Sequence, residues 1–272
     1  MQTIDVAAAE SLLAFWRDAG VEACYVDAAV DRTHVELPAP RKAVLKATAS
    51  VAVAPNASEC IAEARHAAQA ATTLEALMAA AASFDGCGLK QQGARRAVVG
   101  GGPPDADLLV IGAAPGLEED DSGDIFAGKA GRLLDAMLGA AGLKDRAYRM
   151  NAVFWRPPGD RPAAPEEQAA CLPFVERALE LLKPRAVLLL GAAPARSVLK
   201  SAETVMALRG DWREWRLGEG NVSAPVRVTL NPVFLLKHGQ AKKQAWADVL
   251  AVAARLDEAG RDAGSDIGPH TD

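Results

Sequence analysis

The sequence predicts an α/β fold: a three-layer α/β/α sandwich built on a central, mostly parallel four-stranded sheet and preceded by N-terminal helices. Three observations carry this. From about residue 84 to 257, short apolar runs alternate with helical patterns. The most apolar runs are continuous rather than alternating, as in strands buried on both faces. Loops rich in glycine, proline and asparagine follow several of them, where such sheets place ligands.

The elements follow in order. Residues 2–19 carry Ile4, Leu12, Leu13, Phe15 and Trp16 at helical spacing. Residues 36–58 are rich in Ala, Pro and small polar residues and read as a linker. Two helices are expected over 58–83, the first capped by Ser58 and the second by Thr72 or Thr73, with Glu75 in its first turn. Strands are expected at 107–112, 148–154, 186–191 and 226–230, and helices at 129–142, 165–183, 192–200 and 239–257. Pro165 followed by Glu166 and Glu167 suits a first helical turn, where the dipole favours anions. Beyond Glu258 the chain is polar and reads as a disordered tail. The expected division is therefore an extension over 1–83, an α/β domain over 84–257 and a tail over 258–272.

Composition narrows the function. Half of the 272 residues are apolar and the net charge is −5. That balance argues against a generic nucleic-acid binder, although a local basic patch suffices for DNA. No apolar run approaches the roughly 18 residues of a membrane span. The start reads as an amphipathic helix rather than a signal peptide, and the extension would suit a protein partner. Cys24, Cys60, Cys87 and Cys171 are widely spaced with no C-x-x-C pair, which indicates neither zinc site nor disulfide framework and suits a reducing cytoplasm. His34, His66, His238 and His270 are scattered, and no complete nucleophile–base arrangement stands out.

Three loops carry candidate chemistry. Gly112, Ala113, Ala114, Pro115 and Gly116 follow the first strand, and their small size lets a ligand approach the backbone. No helix is expected directly after them and the spacing is not G-x-G-x-x-G, so a dinucleotide site is not indicated. The upstream VVGGGPP over 98–104 reads as a turn. In YRMNAVFWRPPGDR, Asn151 at a strand end offers a donor and an acceptor to a base edge, or caps the following turn. Last comes NPVFLLK over 231–237, near Lys242 and Lys243, a cluster suited to phosphate or to a solvated helix face.

These segments together resemble the family 4 uracil-DNA glycosylases. GAAPGLEEDDSGDIFAGKAGRLLD is similar to that family's G-E-x-P-G-x-x-E-D and G-x-P-F-V-G-x-A-G-x-L-L-D run. YRMNAVFWRPPGDR resembles its Y-I-x-N-x-x-K-C-R-P-P-x-N-R, Arg209–Gly210 with the following residues its R-G-x-W-x-E, and NPVFLLK its H-P-A-Y-L-L-R. The resemblance runs from about residue 84 to 256. It implies hydrolysis of the N-glycosidic bond of a uracil flipped out of DNA. It also implies roles by position. Phe126 would stack on the base and Asn151 would bond its edge. Residues 112–116 would line the pocket, and the 231–237 loop, with Lys237, would press on the DNA. Arg156 and Arg161 would support the central loop or contact phosphate.

The chain departs from the pattern at three places. The family's first-signature acid is Ala113, which can neither position water nor stabilise a cationic sugar. Its last-signature histidine is Asn231, which can still donate a neutral hydrogen bond to the leaving base. Asp120, with Glu118, Glu119 and Asp121, is the candidate substitute for orienting water, against the reading of a solvated acidic loop. The family's four-cysteine iron–sulfur cluster retains only Cys87 and Cys171, with Phe84 and Trp155 at the other positions. Two thiolates cannot hold such a cluster, so no metal or cofactor is expected. The functional expectation is a uracil-DNA glycosylase-like repair protein of weak or altered activity, or an inactive DNA-binding or scaffolding descendant.

Overall fold

The computed structural model describes residues 57–217 and 222–264. The expected helix over 2–19 and the linker up to residue 56 lie outside them. The strands are β1 (Gly100–Gly101), β2 (Leu108–Gly112), β3 (Ala147–Asn151), β4 (Ala186–Leu190), β5 (Trp212–Leu217) and β6 (Val222–Thr229). They form one sheet in the order β1-β3-β2-β4-β6-β5. The four central strands run parallel, whereas β1 and β5 pair antiparallel at the edges. Every residue of β2 and β4 is buried, as their unbroken apolar runs require.

The sheet thus has six strands, not four. Gly100 and Gly101, read as part of a turn, pair with Met150 and Arg149. A Cβ on Gly100 would lie 2.5 Å from the Arg149 carbonyl oxygen, so only glycine permits that approach. β5 escaped the sequence reading because it is an edge strand. Arg213, Glu214 and Arg216 face solvent, and only Trp215 is buried.

The helices are α1 (Ala57–Ala70), α2 (Leu74–Ser83), α3 (Leu117–Ser122), α4 (Lys129–Ala140), α5 (Pro165–Leu182), α6 (Ala192–Leu199), α7 (Val205–Leu208), α8 (Pro232–Lys237) and α9 (Lys242–Gly264). Thr73 caps α2, its hydroxyl accepting from the Ala76 amide at 3.2 Å. α1 begins at Ala57, ahead of the expected Ser58 cap. Ala64, Ala68, Leu77 and Ala81 of these two helices share one apolar cluster with Phe174, Val175 and Ala178 of α5. The short helices α3, α7 and α8 were not anticipated, and α9 runs past Glu258 to Gly264, into the expected tail. A one-turn helix has too few residues to show a periodicity.

The chain passes from β2 to β3 on one side and on to β4 and β6 on the other. The strand order thus reverses beside β2, and outside the carboxyl ends of the strands at such a point is the crevice in which open α/β sheets bind ligands.

Candidate active site

All three sequence-marked loops emerge at this edge. Gly112 ends β2 in register with Asn151 at the end of β3. The Gly112 and Ala113 carbonyls accept from the Ala152 and Val153 amides, each at 2.9 Å, which extends the pairing beyond the strands and fixes the loop. Pro115 is buried, while Ala113, Ala114 and Gly116 are half-buried. α3 begins directly after Gly116, contrary to the expectation that no helix follows. The glycine spacing still departs from the dinucleotide pattern.

Asn151 is buried, and its Nδ2 donates to the Val98 carbonyl at 3.0 Å. This bond fixes which way the amide points. Its Oδ1 lies beside Gly112, where a Cβ would approach to 3.0 Å, and the same Cβ would meet the Phe126 ring at 2.6 Å. Only glycine at 112 lets the ring and the amide oxygen converge. Phe126 itself is left-handed, with φ +53. Gly131 of α4 accommodates this turn, since a Cβ there would sit 1.5 Å from the Phe126 carbonyl oxygen. Gly131→Ala is therefore expected to displace the Phe126 loop and destabilise the fold by about 2 kcal/mol or more in urea unfolding. An unchanged midpoint would contradict this packing.

The acids after the loop are mostly committed locally. Glu119 Oε2 accepts from the Gly116 amide at 3.0 Å. Asp120 is buried, and its Oδ1 accepts from the Arg95 and Arg96 amides at 2.9 and 3.3 Å, tying α3 to the preceding segment. Asp121 pairs with Arg95. Glu118 is exposed and rests against Gly128.

Asn231 is the N-cap of α8. Its Oδ1 accepts from the Val233 amide at 2.8 Å and its Nδ2 reaches the Leu190 carbonyl at 3.4 Å. Both ends of the amide therefore serve the backbone at the edge of the crevice, leaving one N–H for a ligand. Beyond it, Val233, Phe234 and Leu236 are exposed apolar residues on α8. Phe234 stacks on His238 with centroids 4.0 Å apart.

Arg156 and Arg161 hold the central loop together. Arg156 pairs with Asp160 at 2.7 Å, and Arg161 makes a two-pronged pair with Glu167 at 2.6 and 2.9 Å. The Arg161 pair holds the Glu167 carboxyl below the usual glutamate range. Lys237, Lys242 and Lys243 are exposed, and no carboxylate pairs with them among the described residues.

Sequence reasoning missed the scaffold behind these loops. Asp248 of α9 is fully buried. It accepts from Arg209 at 2.9 Å, Arg227 at 3.2 Å and the Thr229 hydroxyl at 3.0 Å. It thereby anchors β6 two residues before Asn231, and gives the Arg209–Gly210 signature its physical role. Val98, whose carbonyl orients Asn151, had no marker beyond its glycine-rich neighbours.

The residues at the cluster positions do not fit a four-thiolate iron–sulfur group. Cys87 and Cys171 are both buried in the apolar core. Phe84 packs on Phe174 with centroids 5.4 Å apart, and Phe154 on Trp155 at 5.9 Å. Phe84 and Trp155 offer only carbon and an indole N–H, neither of which ligates iron. Among the described residues, no group of three or more His, Cys, Asp or Glu is placed to hold a metal. Nor is any described helix long and apolar enough to cross a membrane.

With this fold and these loops, the chain belongs to the uracil-DNA glycosylase superfamily, whose family model matches residues 99–250. Within it, the chain is similar to type-4 uracil-DNA glycosylases. It is 34% identical to that of Thermotoga maritima over 143 residues, which cover 52% of this chain and 72% of the relative. It is 37% identical to that of Archaeoglobus fulgidus over 156 residues, covering 56% and 77%. With that of Pyrobaculum aerophilum it shares 31% over 148 residues, covering 53% and 74%.

Proposed function

We propose that this chain is a DNA repair protein that takes a flipped uracil into the crevice and hydrolyses its N-glycosidic bond slowly, without an iron–sulfur cluster. The observation that carries this is the orientation of Asn151. With Nδ2 tied to Val98, Oδ1 is the acceptor beside the Phe126 ring. A base presenting a ring N–H, as uracil does, satisfies it. Cytosine presents a lone pair there and would leave the buried acceptor unpaired, at about 1–3 kcal/mol. Asn151→Ala is expected to weaken binding to uracil-containing single-stranded DNA by about tenfold while leaving binding to undamaged DNA unchanged, as read by fluorescence anisotropy. Equal loss on both DNAs would overturn the assignment.

The slowness follows from Ala113 and Asn231. Ala113 itself carries no group that could position water or face a cationic sugar. Asp120 is the candidate substitute for orienting water, and its bonds to the Arg95 and Arg96 amides support an anchoring role instead. Asn231 gives the leaving base at most one neutral N–H. The capped state of Asn231 also favours a second reading, in which the pocket binds uracil in DNA without turnover and serves recognition or scaffolding.

DNA contact is assigned to Lys237, Lys242 and Lys243 with the exposed apolar ridge of α8, opposed by the acidic run of α3. Replacing the three lysines by alanine is expected to lower the magnitude of the salt-dependence slope of single-strand binding by about 2. An unchanged slope would place the phosphate contacts elsewhere. Arg156 and Arg161 contribute by holding the loop that follows Asn151.

A further inference from the structure

β5 is the outermost strand of the sheet, with β6 on one side and no strand on the other. Pro225 of β6 lies opposite Glu214 and has no N–H to give. Glu214 and Pro225 therefore form a pair that exchanges no hydrogen bonds. Glu214, with Trp212 and Arg216 two residues to either side, turns its N–H and C=O away from β6. Glu214 and Arg216 share a face of the strand, where their side chains pair at 2.6 Å and are 46% and 68% exposed. A cleft of about 600 Å³ lies along residues 214–217, bordered by Arg65, Glu176 and Lys200, which leaves room beside the strand. None of the residues assigned to DNA lies on β5.

We propose that this edge pairs antiparallel with the β5 edge of a second copy of the chain, joining two sheets into one across a two-fold axis at Trp215. Hydrogen-bonded pairs form only between residues that turn their backbone outward on both strands, so Glu214 and Arg216 face residues of that same set. Charge then selects the register. With Glu214 opposite its own copy, or Arg216 opposite its own, like charges meet on one face. With Trp215 on the axis, Glu214 of each strand lies opposite Arg216 of the other, and ion pairs of opposite charge flank the axis.

In the single chain Glu214 pairs with its own Arg216; in the dimer each group gains a second partner from the other copy. The edge is six residues long, which makes a small interface, so the dimer forms and dissociates readily. Both copies use the same patch, and the opposite edge of the sheet, β1, is only two residues long. Association therefore closes at two chains rather than growing into a fibre.

The test is analytical ultracentrifugation of the full chain across about 5–500 μM, the range in which so small an interface assembles. The expected result is an average mass that rises from one chain toward two. Glu214→Arg and Arg216→Glu each set like charges opposite one another, and each should raise the half-association concentration about tenfold or more. Both positions are exposed, and an unchanged thermal midpoint shows that each variant is folded. Mixing the two variants should restore association, since one strand then carries both arginines and the other both glutamates. Glu214→Arg combined with Arg216→Glu in one chain should restore it as well. A chain that stays monomeric throughout, a dimer that either single variant leaves intact, or a mixture that fails to associate would overturn the proposal.

Discussion

Ala113→Glu is expected to raise the single-turnover rate of uracil excision by about 10²–10³-fold, the usual contribution of one electrostatic group aimed at developing charge. Ala113 follows Gly112, the residue that brings the Phe126 ring and Asn151 Oδ1 together. A carboxylate there would stand at the crevice edge, able to hold water or face a cationic sugar. Ala113 is half-buried, so stability should change little, which separates a catalytic gain from a folding effect. Adding Asn231→His supplies a donor for the leaving base but removes the asparagine cap of α8, at about 1 kcal/mol. The double substitution is therefore expected to be faster than Ala113→Glu and slightly less stable. A rate unchanged by Ala113→Glu would mean that residue 113 does not face the reacting sugar.

The second large effect concerns the scaffold. Asp248→Ala is expected to cost about 3–5 kcal/mol in urea unfolding. The loss leaves the Arg227 guanidinium, whose side chain is 10% exposed, without its carboxylate, takes the Thr229 hydroxyl's acceptor away, and leaves Arg209 with the Gln244 carbonyl alone. Arg227 keeps only its approach to the Trp212 ring at 5.7 Å, a weaker interaction than a charge-assisted pair. Because Asp248 holds β6 just ahead of Asn231, the variant should also lose affinity for DNA through α8. A cost below about 1 kcal/mol would reduce this cluster to a surface-like ion pair.

The core of the fold was legible because burial writes a simple pattern. The 108–112 and 186–190 strands are apolar without interruption, and the long helices carry full periodicities. What escaped depends on partners far away in sequence. Gly100 is a strand residue only because Arg149 approaches it, and β5 looks like a charged loop until β6 lies beside it. The loops of the site were legible through residue types: Gly112, Phe126 and Asn151 do converge. Their commitments were not. Whether Asn231 faces a ligand or caps a helix depends on the unforeseen α8. Whether Asp120 is free depends on the amides of Arg95 and Arg96.

Slow excision of uracil from DNA by the native chain is measured in a single-turnover assay with protein in excess over uracil-containing single-stranded DNA, reading strand breaks at abasic sites. The expected result is cleavage above the no-protein control that disappears in Asn151→Ala. No cleavage by the native chain, with cleavage restored by Ala113→Glu, would contradict it and leave a uracil-binding protein retired from catalysis.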